Sequence, residues 1–244
     1  MTEITSRHTQ KHPAVKVSGR RLLAALGIGF GAGAVVGTIT YYAIHLLVPA
    51  ANSSVTNQLI VVEVYALLTG ALAVAFRPVQ REPLGLRFTS VRDLGLAFAA
   101  WLGIVAISAL VYLLFQPVAG RLTDSLRKIL SVATDVNRLE DQPLAAWAIA
   151  IPRGCLLVPL FEELLFRGAL LHWLRGYLSD HLAIIASAVV FAGMHGYPIV
   201  MPYAFIFGAF TGWIRIRTGS TLNTTFMHAM NNVFFLYLGC LLLR

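Results

Sequence analysis

Pro159-Leu-Phe-Glu162-Glu163-Leu-Leu-Phe-Arg167 places two adjacent carboxylates and a guanidinium inside a segment that is otherwise apolar. Ionisable side chains are costly inside a bilayer, so they usually face a partner or a water-filled cavity and mark functional sites. Glu163 and Arg167 are four residues apart, so on a helix they share a face and can form an ion pair. Glu162 points about 100° away. It has no oppositely charged partner in its own helix, which makes it the candidate general base.

The composition predicts a membrane protein. Of the 244 residues, 57% are hydrophobic and 12% are charged, whereas soluble proteins average about 25% charged residues. Spans of about 20 residues occupy most of such a chain, so we expect one membrane domain and no separate soluble domain. The net charge of +8 comes mainly from short segments between apolar runs, where basic residues orient spans in the membrane. Nucleic-acid binding is therefore excluded.

The hydropathy pattern predicts an all-α, polytopic fold of about seven transmembrane helices. A basic segment, residues 1–21, precedes the first apolar run and places the amino terminus in the cytoplasm, with the chain in the cell membrane. Residues 22–143 hold the first helices, and residues 144–244 hold the polar motifs. The predicted spans are about 22–48, 58–76, 94–115, 144–173, 183–194, 203–216 and 221–243.

Two features of the first half are more local. The first span carries glycines at GxxxG spacing, among them Gly29, Gly33 and Gly37, which allow helices to approach closely. In the second span, Glu63 is expected near the outer interface or paired.

Residues 116–143 interrupt the series of spans with an amphipathic pattern. Val118, Leu122 and Leu126 recur every four positions, while Arg121 and Arg127 lie on the opposite face. This pattern predicts an interfacial helix, lying along the outer membrane surface or over the core as a gate. A solvated linker helix is the competing interpretation.

Two further polar sets lie at helical spacing in apolar surroundings, His195 after Phe191-Ala-Gly-Met and His228-Ala-Met-Asn231-Asn232. His228 and Asn232 are four residues apart and share a face, and Asn231 is the weaker candidate. Each histidine alone is compatible with a hydrogen-bonded packing role. Together with Glu162 they provide a base, two imidazoles and a carboxamide, the groups that hydrolysis of a carbonyl compound needs.

These motifs, in this order and with Arg217-Thr-Gly-Ser220 before the last, resemble those of the CPBP (Abi) family of intramembrane proteases, related to the Rce1-type CAAX prenyl endopeptidases. The resemblance covers residues from 144 onward. The motif residues are Glu162, Glu163, Arg167, Phe191, His195, His228 and Asn232.

The resemblance implies a membrane endopeptidase, with a cavity open to the cytosol, that cleaves a membrane-associated peptide, prenylated or not. Glu162 would be the general base on a water also held by His195. His228 and Asn232 would stabilise the oxyanion, and the Glu163–Arg167 pair would orient the site.

Metal dependence is open at the level of sequence. Zinc accepts two histidines and a carboxylate, so Glu162, His195 and His228 form the candidate ligand set. The chain has no HExxH motif. Direct activation of water by glutamate and histidine is the interpretation we favour, because Asn232, one turn after His228, fits an oxyanion donor pair.

Two alternatives to an enzyme remain. A non-enzymatic protein of the same fold, with a bacteriocin self-immunity or partner-binding role, would use the cavity only to bind. A proton-coupled carrier would also need intramembrane glutamate and histidine, but the chain lacks an internal repeat.

Overall fold

A computed structural model of the chain describes residues 18–48, 53–76, 84–87, 89–115, 144–196 and 200–242. Its long elements are helices, as the hydropathy pattern predicts. The predicted interfacial helix over 116–143 and most of the basic segment 1–21 lie outside the described residues. We number the helices in chain order: α1 Gly19–Leu47, α2 Ser53–Ala75, α3 Val91–Phe115, α4 144–174, α5 Asp180–Met194, α6 Met201–Thr218 and α7 Thr221–Leu242.

The seven helices lie within a few residues of the seven predicted segments, but not all have the length and hydropathy of a span. Within the described part, three helical stretches do: Gly19–Leu47, Val55–Ala75 and Val91–Ser108. At 15 residues, α5 extends only about 22 Å, less than the roughly 30 Å of a hydrocarbon core. The chain is therefore a multi-pass helical membrane protein, and a count of seven full spans is not established.

Helices α1 and α2 pack through the glycine face of α1, as the GxxxG spacing predicts. Gly29, Gly33 and Gly37 are buried, and each faces a residue of α2. A methyl group added at Gly29 would lie 3.0 Å from the Cα of Leu68, and one added at Gly37 would lie 2.8 Å from Cγ2 of Ile60. Glu63 is paired, since its Oε1 accepts a hydrogen bond from Thr40 at 2.9 Å.

Helix α4 is shared by both halves of the molecule. Phe161 belongs to an apolar cluster with α1 and α2, which includes Leu68 and Leu72. Phe166, little more than one turn later, belongs to a second cluster with α3, α5, α6 and α7, which includes Phe191 and Phe207. Helix α4 therefore packs against both clusters, with different side chains on each.

Helix α4 is not a regular α-helix. Two π-helical stretches, Arg153–Leu157 and Leu164–Leu170, flank the α-helical turns Val158–Glu163. π-turns are rare and frequent at functional sites. The Val158 N–H donates to the Arg153 carbonyl, five residues back. The next donor in that register would be residue 159, but Pro159 has no N–H, so the Gly154 carbonyl lacks that donor.

The linker between α2 and α3, of which residues 84–87 and 89 are described, is fixed to the turn between α6 and α7. Thr221 donates to it twice, from N–H to the Gly85 carbonyl at 2.9 Å and from Oγ1 to the Leu84 carbonyl at 2.5 Å. Arg87 Nη2 donates to the Thr218 carbonyl at 2.6 Å. Gly219 ends α6 with φ +67°, a left-handed conformation that favours glycine. The start of α7 is thus held by a segment from the first half of the chain.

We expect Gly29→Ala to destabilise the protein and Gly31→Ala to leave it unchanged or slightly more stable. The added methyl at Gly29 meets backbone of α2, whereas at Gly31 no atom lies within 4 Å. Crowding of a packed contact costs about 1–3 kcal/mol, while alanine is the better helix former at either site. Thermal unfolding of both variants in detergent measures the difference, and equal melting temperatures would contradict the close packing of α1 on α2.

Candidate active site

Glu163 is a fully buried carboxylate with two basic neighbours on two helices. Its Oε2 lies 3.3 Å from Nε of Arg167, and neither side chain is exposed to solvent. Its Oε1 lies 3.0 Å from Nδ1 of His228, 65 residues away on α7. The ion pair expected from the four-residue spacing is therefore present, and the histidine ties it to another helix.

Arg167 balances this buried charge in an apolar setting. Its guanidinium carbon lies 4.2 Å from the ring centroid of Phe191, a distance typical of a cation–π contact. Among the described residues its guanidinium nitrogens have no hydrogen-bond partner. The ion pair with Glu163 and the contact with the Phe191 ring thus replace the hydrogen bonds that a buried arginine normally makes.

His228 faces both carboxylates of the Glu162-Glu163 pair. Its Nε2 lies 3.8 Å from Oε2 of Glu162, and its ring is packed edge-to-face against Phe207 at 5.1 Å. Since an ionised Glu163 can only accept hydrogen bonds, Nδ1 of His228 must donate to it. The nitrogen that remains for chemistry is therefore Nε2, on the side of Glu162.

Glu162 is the more accessible of the two carboxylates. Its side chain is 20% exposed, and that of Glu163 is 0% exposed. Its Oε2 lies 3.8 Å from Nε2 of His228. An oxygen and a nitrogen 3.8 Å apart can both contact one water at hydrogen-bond distance. Glu162 is thus placed to share a water with an imidazole.

His195 follows the last turn of α5, and its ring is oriented by its own helix. Its Nδ1 lies 2.9 Å from the Phe191 carbonyl. A carbonyl oxygen only accepts, so Nδ1 carries the proton and Nε2 has a free lone pair. The next residue, Gly196, has φ +69°, so the chain turns directly after the histidine.

Asn232 contacts the backbone of α4 rather than another polar side chain. Its Nδ2 donates to the Gly154 carbonyl at 2.8 Å, the acceptor that Pro159 leaves without its helical donor. One N–H of the amide is used in this bond, and the other remains. Asn231 is not a free candidate, because its Oδ1 accepts a hydrogen bond from the Tyr203 hydroxyl at 2.5 Å.

The structure therefore brings the sequence-predicted residues together unequally. Glu162, Glu163, Arg167 and His228 form one contiguous group, His195 packs on Phe191 beside that group, and Asn232 joins α7 to α4.

Two neighbours of this group had no role assigned from the sequence. Phe191 lies against Arg167, and its ring centroid is 4.7 Å from that of His195 and 5.9 Å from that of His228. Tyr65 of α2 stacks edge-to-face on Phe161, the residue before Glu162, at 5.3 Å. Phe191 stood inside a recognised motif. No pattern in the sequence pointed to Tyr65, because its contact with α4 is tertiary.

The candidate zinc ligands do not form a metal centre. Within the part of the chain that the structure describes, no three His, Cys, Asp or Glu side chains are grouped so as to hold a metal ion. Nδ1 of His228 bonds Glu163 and Nδ1 of His195 bonds a carbonyl, so Nε2 of each ring remains available. It is the spacing of the Glu162, His195 and His228 side chains that does not fit a resident metal in this arrangement.

We expect Arg167→Ala to lower the free energy of unfolding by about 3–5 kcal/mol, because it leaves a buried carboxylate without its cation. Arg175→Ala is the matched control: its ion pair with Asp180 has side chains 40% and 50% exposed, and exposed pairs contribute about 0–1 kcal/mol. Denaturant unfolding of both variants in detergent measures the two losses. A loss at Arg167 no larger than that at Arg175 would contradict the buried pair.

The part of the chain that contains Glu162, Glu163, Arg167 and His228 matches a known protein family. Residues 144–234 match the family model described as Rce1-like, type II CAAX prenyl endopeptidase. No curated protein and no solved structure matches the chain. The match contains all seven motif residues and excludes helices α1 to α3.

Proposed function

We propose that this multi-pass membrane protein belongs to the Rce1-like CAAX protease family and is an intramembrane endopeptidase that uses a water activated by Glu162. The proposal depends on one observation: the carboxylate without a cation of its own, and the more exposed of the pair, lies 3.8 Å from the imidazole of His228. Charged side chains inside an apolar helix usually serve a function. Hydrolysis gives Glu162 the role of base and gives the Glu163–Arg167 pair the role of orienting His228.

The first step is attack of water on the scissile carbonyl. Glu162 takes a proton from the water, whose other hydrogen is directed to the free Nε2 of His195. The resulting hydroxide adds to the carbonyl carbon, and the carbonyl oxygen becomes an anion. A base placed within hydrogen-bond reach of the water is the usual source of about 10²–10⁴-fold in rate.

The oxyanion is stabilised by donors that α7 supplies. Nδ1 of His228 donates to Glu163, and this step requires a proton on Nε2 as well, so that Nε2 donates to the oxyanion. The second N–H of Asn232 is the other donor. Preorganised donors of this kind are often the largest single contribution to acyl-transfer catalysis. When the intermediate collapses, the protonated Glu162 gives its proton to the leaving amine, and a carboxylic acid and an amine are released.

The Glu163–Arg167 pair holds His228 in this orientation. The pair is completely buried and cannot contact substrate directly, so it acts through the imidazole.

The substrate that fits is a peptide held at the membrane. We infer that this peptide is lipidated, as the name of the matching family, CAAX prenyl endopeptidase, describes. Arginines at the starts of α1 and α3 and the ends of α4 and α6 lie at one end of the helices. From the positive-inside rule we infer that this end and the amino terminus face the cytoplasm.

Glu162→Gln should abolish peptide cleavage, by at least about 100-fold, because the amide cannot accept the proton of the water. The matched control is Glu63→Gln, at a second glutamate in a membrane helix, whose hydrogen bond from Thr40 an amide oxygen can also accept. Cleavage of a membrane-bound, prenylated peptide by the full chain in vesicles measures both. Normal cleavage by Glu162→Gln would overturn the proposal, and cellular function retained by that inactive variant would favour a binding role.

His228→Ala should lower kcat by about 10²–10³-fold while KM changes little, because a donor to the oxyanion acts only in the transition state. The control is His181→Ala, an exposed histidine at the start of α5. Michaelis curves for both variants separate the two parameters. An effect on KM alone would contradict the role given to His228.

A further inference from the structure

A cavity of about 680 Å³ lies between α3 and α6, apart from the candidate active site. It is lined by Ser90, Arg92, Asp93, Leu96, Trp213 and Arg217. Ligand sites commonly have volumes of about 300–1,000 Å³. The cavity is therefore large enough for a small molecule or for the polar part of a larger one.

The lining is suited to an anion. Arg92 and Arg217 are both exposed, and neither forms an ion pair with another described residue. The one carboxylate of the lining, Asp93, is engaged locally: its Oδ2 accepts from the Ser90 hydroxyl at 3.0 Å. Two guanidinium groups thus face the cavity with one carboxylate, and guanidinium groups bind phosphate in a bidentate manner.

The surroundings of the cavity are suited to hydrocarbon. On α6, Trp213 is one turn before Arg217 and 43% exposed, a position typical of the aromatic residues at a membrane interface. On α3, Leu96 lies one turn after Arg92, on the same face, and also lines the cavity. Leu96 and Trp213 therefore give the cavity an apolar wall beside its two guanidinium groups.

We propose that this cavity binds the phosphate of an anionic membrane lipid, with the guanidinium groups of Arg92 and Arg217 on the phosphate and the acyl chains against Leu96 and Trp213. A basic site at the end of membrane helices on the arginine-rich side fits the anionic lipids of the cytoplasmic leaflet. The site is independent of the catalytic assignment, since none of its residues contacts Glu162 or the histidines.

The test compares two double variants of the full chain that remove the same charge. Arg92→Gln with Arg217→Gln alters the cavity, and Arg20→Gln with Arg21→Gln alters two exposed arginines at the same end of the molecule. Phosphatidylglycerol and phosphatidylcholine are added together to the purified protein in neutral detergent, and native mass spectrometry measures the lipid retained. In a separate experiment, excess inorganic phosphate is added and the lipid that stays bound is measured. Melting temperatures check that the variants are folded.

We expect the unsubstituted chain to retain phosphatidylglycerol over phosphatidylcholine, the cavity variant to lose about tenfold or more of that preference, and the control variant to keep it. Equal losses in the two double variants would overturn the site, because general electrostatic attraction would then explain the binding. No loss in the cavity variant would overturn it too. Full displacement of the lipid by inorganic phosphate would show that the acyl chains contribute nothing and would overturn the lipid assignment.

Discussion

The burial of Glu163 is the constraint on which the arrangement of the carboxy-terminal helices depends. A carboxylate with no solvent exposure needs partners that offset its desolvation cost. Glu163 has two, Arg167 on its own helix and His228 on α7. Because these partners come from two helices, α4 and α7 cannot move apart without exposing or isolating a charge. The same contact holds the Nδ1–H of His228 and thereby orients Nε2 of the ring toward Glu162.

A second contact between α4 and α7 compensates for an imperfection in the helix itself. Pro159 removes a backbone donor and the neighbouring turn is π-helical, so the Gly154 carbonyl is available to Asn232. A proline that would be a defect elsewhere here provides an acceptor inside the membrane, where such groups must be satisfied by protein. The irregular turns on either side of Val158–Glu163 also set the direction in which Glu162 points.

Local patterns predicted much of this molecule, and tertiary contacts account for what they missed. Hydropathy located the seven helices, and spacing along one helix predicted the Glu163–Arg167 pair and the glycine face of α1. The bond from His228 to Glu163 joins residues 65 positions apart, so no helical spacing could reveal it. The bond from Asn232 to a backbone carbonyl, and the contact of Tyr65 with Phe161, depend likewise on how helices pack. Length rather than composition limited the prediction of spans, since α5 is helical and apolar but short.

The linker between α2 and α3 limits how far the carboxy-terminal helices can be separated from the rest of the chain. Thr221, Thr218 and Ser220 exchange hydrogen bonds with Gly85, Leu84 and Arg87, and Asn223 accepts one from Thr89. The family-matched stretch is thus fastened at its last helix to amino acids outside that stretch. A chimaera that joins residues 144–244 to the first helices of a distant homologue would therefore also need residues 84–89 of this chain. The two parts can vary independently only if the hydrogen bonds between this linker and the start of α7 are kept.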